Sequence, residues 1–411
     1  MSHKVRLLLI IPHLGGGGAE KVTSLLAQYL SLDSYELHLV LVTEPEARPQ
    51  RLPEGIRVYA LGVPRVRYAA LRLLKLVWKV RPNVILSGMA HLNFMVLMLG
   101  PLFPTGTRIL VRQNSTISAS TAIPGRPLLT RLLYRFLYRH ADRVICQSRA
   151  MAEDLRKELG LRPDRIAVLP NPVDTAGIDL AAGARSQWTG EGPHLLAVGR
   201  LSREKGFDQL LEALVVVRKQ FPHGDLILAG EGPEENSLKS QCCALGLETA
   251  VRFAGQVDPP YVLFSGASVF VLPSRHEGMP NAMIEAAVGG LPIVALPCSD
   301  GVVDLLRVTR GAWLAPEVSA GALAATLTEA LHTLQPGERF DRSKPIDLAP
   351  MEFAPSDLDP SHLAMANIPP IYTAPENGNG EFEGAASQFQ FARAIEYYEA
   401  LIDQTCAAGP A

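Results

Sequence analysis

Cysteine is scarce in this sequence, and no apolar segment is long and uninterrupted enough to suggest a membrane span. The five cysteines among 411 residues form no C-x-x-C pair and no metal-ligand spacing. This argues against a disulfide framework or a zinc site and favours a reducing cytosol. Residues 84–103 lack Lys, Arg, Asp and Glu but contain Pro101 and polar residues, so a strand, a loop and a helix are predicted there. The apolar segment Val5–Ile11 is too short for an export signal, and a cytoplasmic location is expected.

Charged residues are also sparse, at 19% of the chain, and they are unevenly distributed. Residues 1–190 carry a net charge of +12 and the remainder carries −14, although the whole chain sums to −2. Residues 65–143 contain 13 Lys or Arg residues and a single acid, Asp142. Such a basic region indicates an anionic partner, which could be a membrane surface, a nucleic acid or a phosphorylated substrate.

The apolar pattern predicts parallel β-sheets that are covered by helices on both faces. Short aliphatic runs alternate with longer helical patterns, and the series restarts near residue 190. Two doubly wound α/β domains facing a cleft are therefore expected, with a linker at 170–193. The predicted strands are Val5–Ile11, Leu37–Thr43, Val58–Leu61, Asn83–Leu86, Arg108–Arg112, Arg143–Cys146, Ile166–Leu169, His194–Val198, Asp225–Ala229, Val251–Ala254, Val269–Leu272 and Pro292–Ala295.

A different composition marks the segment 336–386, which is rich in proline and acidic residues. This composition indicates an irregular insert, for which the sequence suggests no function. Apolar residues at helical spacing then predict an amphipathic helix at Phe389–Ile402.

The strongest chemical motif follows the apolar strand Val269–Leu272. Gly278 and Pro280 are predicted to open a helix there, whose free N–H groups and dipole suit a diphosphate. Glu277 is placed just before this helix and Glu285 about two turns inside it, where both could accept hydrogen bonds from sugar hydroxyls. The alternative is an ordinary helix-capping acid followed by a surface glutamate.

These two glutamates resemble the E-x7-E motif of the retaining family 4 glycosyltransferases. Further segments resemble this family's motifs in the same order: Gly16-Gly17-Gly18-Ala19-Glu20-Lys21, Pro170-Asn171-Pro172-Val173-Asp174, Val198-Gly199-Arg200-Leu201-Ser202-Arg203-Glu204-Lys205-Gly206, Gly230-Glu231-Gly232-Pro233 and Phe253-Ala254-Gly255-Gln256-Val257. The resemblance implies a GT-B fold, an α/β architecture of two doubly wound Rossmann-like parallel-sheet domains facing a cleft. It also implies the following organisation: an acceptor-side domain at 1–172, a nucleotide-sugar domain at 173–335, the insert at 336–386, and a helix at 387–405 that returns to the first domain.

The resemblance also implies roles for individual residues. Arg200 and Lys205 would neutralise the donor diphosphate and the departing nucleotide. Glu277 would hold the transferred sugar, and Glu285 the ribose hydroxyls. The remaining donor-binding residues implied are Gly17, Gly18, Gly232, Gly255, Val257, Gly278, Met279, Pro280, Asn281 and Ala282.

Retaining members need no metal, because cationic side chains neutralise the diphosphate, so no cofactor and no essential metal are expected. The only D-x-D sequence, Asp357-Leu358-Asp359, falls inside the insert rather than at a strand end. It is therefore not expected to bind a metal.

The chain departs from the family pattern after the strand Arg108–Arg112, where many members carry an acceptor-side histidine. Here Arg112 and Asn114 occupy that region, and Asn114 is the candidate for a catalytic role. His13 and His91 are alternative acceptor-side candidates, although each could instead be structural.

Two basic stretches with aromatic residues, 65–81 and 126–143, are predicted to be helices that contact an anionic membrane. The alternative is a helix packed on the sheet with solvated arginines on its outer face. We expect peripheral association at the inner face of the cell membrane, which a lipid-linked acceptor would require. Nucleic-acid binding would explain the basic residues but not the donor motifs.

The expected function is retaining transfer from a nucleotide-diphosphate sugar, with UDP favoured over GDP, to a glycan or lipid-linked acceptor. This would serve cell-surface polysaccharide, lipopolysaccharide or glycolipid synthesis. The alternatives are a catalytically weakened nucleotide-sugar-binding protein and a nucleotide-sugar epimerase of GT-B fold. A dehydrogenase is disfavoured because Gly15–Gly18 does not complete G-x-G-x-x-G with an acid about twenty residues on. A glycoside hydrolase is also disfavoured. It would need two carboxylates that flank the cleaved bond, and Glu277 and Glu285, two turns apart beside a diphosphate site, do not suggest that arrangement.

Overall fold

A computed structural model describes residues 4–14, 17–44, 52–118, 127–183, 185–307, 309, 311–334 and 394–407. These residues form two compact units. Unit 1 contains the described residues of 1–172 and of 390–411, and unit 2 those of 173–334. The insert 336–386, with Asp357 and Asp359, lies outside the described residues, as does Gly16.

Unit 1 is built on a seven-stranded parallel sheet in the order β3-β2-β1-β4-β5-β6-β7. Its strands are β1 Val5–Ile11, β2 Tyr35–Leu41, β3 Arg57–Ala60, β4 Val84–Ser87, β5 Arg108–Arg112, β6 Arg143–Cys146 and β7 Ile166–Val168. Its helices are α1 Gly18–Tyr29, α2 Ala70–Val80, α3 Ala90–Leu99, α4 Pro127–Tyr138 and α5 Arg149–Leu159. Side chains of β1 alternate between two apolar clusters, with Leu8 and Ile10 in one and Leu7 and Leu9 in the other. The sheet is therefore covered on both faces, as its apolar strands predict.

Unit 2 has a six-stranded parallel sheet in the order β10-β9-β8-β11-β12-β13. Its strands are β8 His194–Val198, β9 Asp225–Ala229, β10 Val251–Gly255, β11 Val269–Leu272, β12 Ile293–Ala295 and β13 Ala312–Leu314. Its helices are α6 Thr175–Ala182, α7 Phe207–Val217, α8 Glu235–Ala244, α9 Asn281–Val288, α10 Asp300–Arg307 and α11 Ala320–Thr333. The two doubly wound parallel sheets expected from the sequence are thus confirmed.

The C-terminal helix, α12 Ala394–Ala407, packs into unit 1. Its side chains Tyr398, Leu401 and Ile402 join the apolar cluster that includes Leu7 and Leu9. Tyr35 donates a hydrogen bond to the Asp403 carboxylate at 2.8 Å, which fixes the helix against β2.

The structure contains one strand and one helix that the sequence did not predict. Strand β13 was not predicted, and the segment 170–193 contains α6 rather than only an irregular linker. Asp174 caps α6 by accepting a hydrogen bond from the Gly177 N–H at 2.9 Å, and Tyr261 donates to the same carboxylate at 2.6 Å. These contacts stabilise a helix whose sequence is only weakly amphipathic.

The two basic stretches are only partly helical. Helix α2 begins at Ala70, five residues after the predicted start of the first stretch, and α4 ends at Tyr138, five residues before the predicted end of the second. Both helices pack inward through Leu73, Val77 and Leu137, among other residues, while arginines lie outside. Among the described residues, no helix combines the length and apolarity needed to cross a membrane.

Candidate active site

The strand order of unit 2 creates a crevice between β8 and β11. The chain leaves β8 towards β9 on one side, and β11 pairs with β8 on the other side. Ligands of doubly wound sheets bind at such a switch point, beyond the carboxyl ends of the strands. The loops that follow these two strands, 199–206 and 273–280, carry Arg200, Lys205 and Glu277.

Lys205 and Glu277 form an ion pair at the carboxyl ends of these two strands. The Lys205 ammonium lies 2.5 Å from Glu277 Oε1, and the Ser274 hydroxyl donates to the same oxygen at 2.8 Å. Only 10% of the Glu277 side chain is exposed. The alternative that Glu277 is merely a capping acid is wrong, because the N-cap of α9 is Pro280 and no side chain caps that helix. A positive and a negative group are therefore held side by side where a ligand would enter.

A second set of contacts holds the loop 273–280 against the loop 199–206 and the start of α7. Arg275 donates to both carboxylate oxygens of Asp208 at 2.7 Å, and its backbone N–H donates to the Glu204 carbonyl at 2.7 Å. Partial burial alone would raise the pKa of Asp208, but the Arg275 guanidinium outweighs it and lowers that pKa below its usual value. Gly206 packs so closely on Pro273 that a Cβ would lie 1.9 Å from the Pro273 carbonyl oxygen. The loops are thus fixed relative to each other.

Helix α9 begins at Asn281, three residues after Gly278, where the sequence had suggested that it would open. Glu285 therefore lies in the second turn of the helix rather than two turns inside it. Its side chain is buried, with 3% of the residue exposed, so the alternative of a surface glutamate is wrong. The residues before and at the helix start, Gly278, Met279, Asn281 and Ala282, are partly exposed. The first N–H groups of an α-helix lack intrahelical acceptors, so this end of α9 is a candidate anion site.

The other donor-side candidates of unit 2 lie in the same crevice or beside it. Arg200 is exposed and forms no ion pair among the described residues, so its charge is available to a ligand. Gly232 packs on Leu201, since a Cβ would lie 2.3 Å from the Leu201 carbonyl oxygen. Gly255 ends β10 in a left-handed conformation with φ of +65°, and Val257 follows two residues later, partly exposed. A side chain at position 232 would thus clash with the Leu201 backbone, and one at position 255 would strain a left-handed backbone conformation.

Unit 1 has its own switch point between β1 and β4, and several polar candidates lie there. His13 follows β1, and its Nε2 lies 3.9 Å from Glu20 Oε1. Glu20, in the first turn of α1, also interacts electrostatically with His91 in the first turn of α3. Gly17 caps α1 and Gly18 begins it; a Cβ on Gly17 would lie 2.2 Å from Glu20 Oε2. The Glu20 carboxylate thus folds back over the helix start, and a side chain at position 17 would have to displace it.

Glu20 was not among the predicted site residues, although it lies within the glycine-rich motif. It is a nearly buried carboxylate between two histidines, an arrangement suited to binding hydroxyl groups or to moving a proton. The signal that could have revealed it is its place at the third helical position after a glycine N-cap.

Arg112, at the end of β5, is a buried cation with only 4% of the residue exposed. Its guanidinium donates to the side-chain oxygens of Asn114 and Asn171, and the Asn114 amide donates to the Gly88 carbonyl. Arg112 forms no ion pair within the described part of the chain, and its Nε–H has no acceptor there. Tyr398 of α12 lies beside this guanidinium. The carboxyl ends of β4, β5 and β7 are thus connected through the Arg112 guanidinium, whose charge no acidic side chain of the described residues neutralises.

Two family models match the sequence. The model described as Glycosyltransferase Family 4 matches residues 16–176, and the model described as Glycosyl transferases group 1 matches residues 192–333. Together they cover most of the chain, and each falls within one unit apart from a few residues at the boundary. The chain belongs to the family 4 glycosyltransferases.

Among relatives of this family 4 glycosyltransferase are two bacterial enzymes. An N-acetylgalactosamine-N,N'-diacetylbacillosaminyl-diphospho-undecaprenol 4-alpha-N-acetylgalactosaminyltransferase of Campylobacter jejuni is 25% identical over 73% of this chain and 83% of its own length. The lipopolysaccharide core biosynthesis glycosyltransferase LpsE of Rhizobium meliloti is 31% identical over 40% of this chain and 46% of its own. The crystal structure of Anabaena HepE in complex with UDP and glucose superimposes with a TM-score of 0.62, at 17% identity, over 80% of this chain and 90% of that one. The expected GT-B fold is confirmed.

Cys298 of this glycosyltransferase lies near the Lys205–Glu277 pair, but its burial disfavours a role as a nucleophile. Burial, together with the nearby Glu277 carboxylate, raises the pKa of the Cys298 thiol to about 12. Since the thiolate is the reactive species, we expect Cys298→Ala to keep transfer activity within about twofold. Iodoacetamide at pH 8 should modify exposed Cys243 without inactivating the enzyme. A tenfold or greater loss of activity in Cys298→Ala would contradict this assignment.

Proposed function

We propose that this chain is a retaining glycosyltransferase that moves a sugar from a nucleotide-diphosphate donor to a hydroxyl group of a glycan or lipid-linked acceptor. The observation that carries the proposal is the Lys205–Glu277 pair at the switch point of unit 2, next to the start of α9. A cation beside a helix N-terminus suits a diphosphate, and an adjacent carboxylate suits the hydroxyls of the attached sugar.

In the proposed reaction the bond between the sugar and the diphosphate breaks, and a bond to the acceptor oxygen forms on the same face of the ring. The acceptor proton passes to an oxygen of the departing phosphate, so no protein nucleophile is needed. Lys205 and Arg200 stabilise the negative charge that develops on the leaving group. Glu277, held by Ser274, positions the sugar, while Glu285 accepts hydrogen bonds from the ribose. This scheme needs no metal.

We assign the acceptor side to unit 1. Asn114 takes the place where many family members carry a histidine, and it is held by Arg112. The Glu20 carboxylate, flanked by His13 and His91, is available to orient an acceptor hydroxyl. The missing histidine also keeps a second function open, a protein that binds the nucleotide sugar without transferring it efficiently.

The donor is expected to be UDP-linked, and the acceptor to be part of a cell-surface polysaccharide or glycolipid. HepE, which shares the fold, was crystallised with UDP, and the two bacterial relatives are named for a diphospho-undecaprenol acceptor and for lipopolysaccharide core synthesis. We further propose that helices α2 and α4 rest on an anionic membrane at the cytoplasmic side. Outside their packed faces they expose Leu71, Trp78 and Phe136 among arginines and lysines.

The proposal predicts which donor stabilises the protein. A ligand that binds only the folded state raises the melting temperature of the protein. At a free ligand concentration of 100 times its Kd, the free energy of unfolding increases by about 2.7 kcal/mol. In a panel of UDP- and GDP-sugars with EDTA present, we expect one UDP-sugar to raise the melting temperature by several degrees. Glu285→Ala should abolish that shift, whereas Glu329→Ala, a change in α11 of the same unit, should leave it intact.

Transfer itself is then measured by NMR with the stabilising donor and a glycan or lipid-linked acceptor. Product in which the anomeric configuration of the donor is kept supports the retaining mechanism, and an inverted product contradicts it. A thermal shift without any turnover would favour the binding-protein alternative. A shift that Glu285→Ala does not alter would place the donor elsewhere.

A further inference from the structure

A cavity lined by charged residues lies at the amino ends of strands of the unit 1 sheet, whereas the acceptor-side candidates lie at the carboxyl ends. It has a volume of about 380 Å³ and sits at the amino ends of β5, β6 and β7. Its lining residues are Thr105, Gly106, Thr107, Arg108, Arg139, His140, Ala141, Asp142 and Arg165. None of them belongs to the motifs assigned to donor or acceptor.

The cavity carries more positive than negative charge. Arg108 lies 3.0 Å from Asp142, whose other oxygen accepts the Ile109 N–H at 2.8 Å, so this acid is fully engaged. Arg139 and Arg165 have no acidic partner within the described residues. Two of the residues that line this one cavity therefore carry guanidinium groups without an acidic partner, which suits an anion.

Both arginines are held in place by contacts with uncharged groups. Arg165 donates to the backbone carbonyl of Arg139 at 2.5 Å. The Arg139 guanidinium stacks over the ring of Phe136, 4.2 Å from its centroid. Such neutral contacts fix the groups in position and leave other N–H donors of each planar fork for a ligand. Guanidinium forks match phosphate oxygens well.

Two exposed apolar side chains belong to segments that adjoin the cavity lining. Phe136, 54% exposed, packs its ring beside His140 at a centroid distance of 5.6 Å. Leu102, which precedes the lining turn by three residues, is 55% exposed, and its carbonyl accepts the indole N–H of Trp78. Aromatic and aliphatic side chains around a basic cavity are what a phospholipid headgroup and its acyl boundary would meet.

We infer that this cavity binds a phosphate group, held by Arg139 and Arg165. The same chemistry is offered by the headgroup of an anionic phospholipid and by a soluble phosphate ester. The inference concerns a site apart from the transfer chemistry, although a lipid source would also explain how α2 and α4 rest on a membrane.

The test uses the full chain and the double variant R139Q/R165Q. The matched control is R57Q/K239Q, which removes two exposed cations of other surfaces, each paired with an acid. Binding is measured to vesicles of phosphatidylcholine with phosphatidylglycerol, and to pure phosphatidylcholine vesicles. In a second arm, calorimetry measures binding of glycerol 3-phosphate.

If the source is a lipid, R139Q/R165Q should bind the phosphatidylglycerol vesicles about 30-fold more weakly, since each basic residue at the surface contributes about a factor of five. The control should change by less than about threefold, because charges beyond a Debye length act weakly. If the source is a soluble ester, saturable binding of glycerol 3-phosphate by the wild type should disappear only in R139Q/R165Q.

Equal vesicle binding by R139Q/R165Q and the control, together with no glycerol 3-phosphate binding by the wild type, would overturn the inference. If the double variant melts at a lower temperature, R139Q replaces it, since that side chain is exposed and only stacks on Phe136. An affinity unchanged in R139Q would likewise overturn it. The donor-induced thermal shift is recorded for every variant, so failure of this site is distinguished from failure of the proposed function.

Discussion

Replacing Lys205 with alanine is expected to lower kcat for sugar transfer by about 10²–10³-fold. The ammonium lies at the switch point of unit 2, where the departing nucleoside diphosphate would gain charge during transfer. With no metal in the proposed mechanism, this charge is met by Lys205 and Arg200 together with the N–H groups at the start of α9. A positive group that acts mainly on developing charge should alter kcat more than donor affinity.

The matched control for this prediction is Lys239→Ala. Lys239 is an exposed lysine of the same unit that pairs with Glu235 one helical turn away. Its replacement should leave kcat within about twofold and stability within about 0.5 kcal/mol. Lys205→Arg keeps the charge but changes the geometry, so it should retain part of the activity. Equal kcat values for Lys205→Ala and Lys239→Ala would refute the assigned role.

Lys205→Ala could lower activity only because Glu277 loses its ion-pair partner. A double-mutant cycle separates this explanation from a direct role of Lys205 in transfer. If Lys205 serves only to hold Glu277, then Lys205→Ala should be harmless in a Glu277→Gln background. If each residue contacts a different part of the donor, the double variant should lose more activity than either single variant. The contact of Ser274 with Glu277 favours the second outcome, because the carboxylate keeps one partner without Lys205.

The sequence allowed the sheets to be predicted well because parallel strands buried on both faces are continuous apolar runs. Val5–Ile11 and Asp225–Ala229 were predicted with their observed bounds. Strand β13 was missed because it has only three residues and two of them are half-buried at the sheet edge. Helix α6 was missed because its stability comes from the Asp174 cap and the Tyr261 contact, which the spacing of apolar residues does not reveal.

Candidate site residues could be named from the sequence, but their partners could not. Lys205 and Glu277 are 72 residues apart, and only the strand order of unit 2 brings their loops together. The burial of Arg112 was equally invisible, since arginine in a sequence suggests a solvated side chain. The donor motifs name the candidate residues, whereas the strand order determines which of them touch.

The close contact between the two donor-side loops leads to the largest stability effect that we expect. Gly206 is the N-cap of α7 and has a φ of +66°. A Cβ there would lie 1.9 Å from the carbonyl oxygen and 2.9 Å from the carbonyl carbon of Pro273. Both obstacles are backbone, which cannot move aside as a flexible side chain can. Gly206→Ala should therefore destabilise the protein by more than about 4 kcal/mol, or prevent it from folding.

Gly246→Ala is the matched control, because Gly246 has nearly the same φ, +67°, but nothing within 4 Å of its Cβ position. It isolates the cost of a left-handed conformation for alanine, about 1–2 kcal/mol. Chemical denaturation of both variants, followed by circular dichroism, measures the difference. The Gly206 variant should also lose the donor-induced thermal shift, because separating the loops parts Lys205 from Glu277. Similar losses of stability in the two variants would show that the loops are free to move apart, and the donor site would then not depend on their contact.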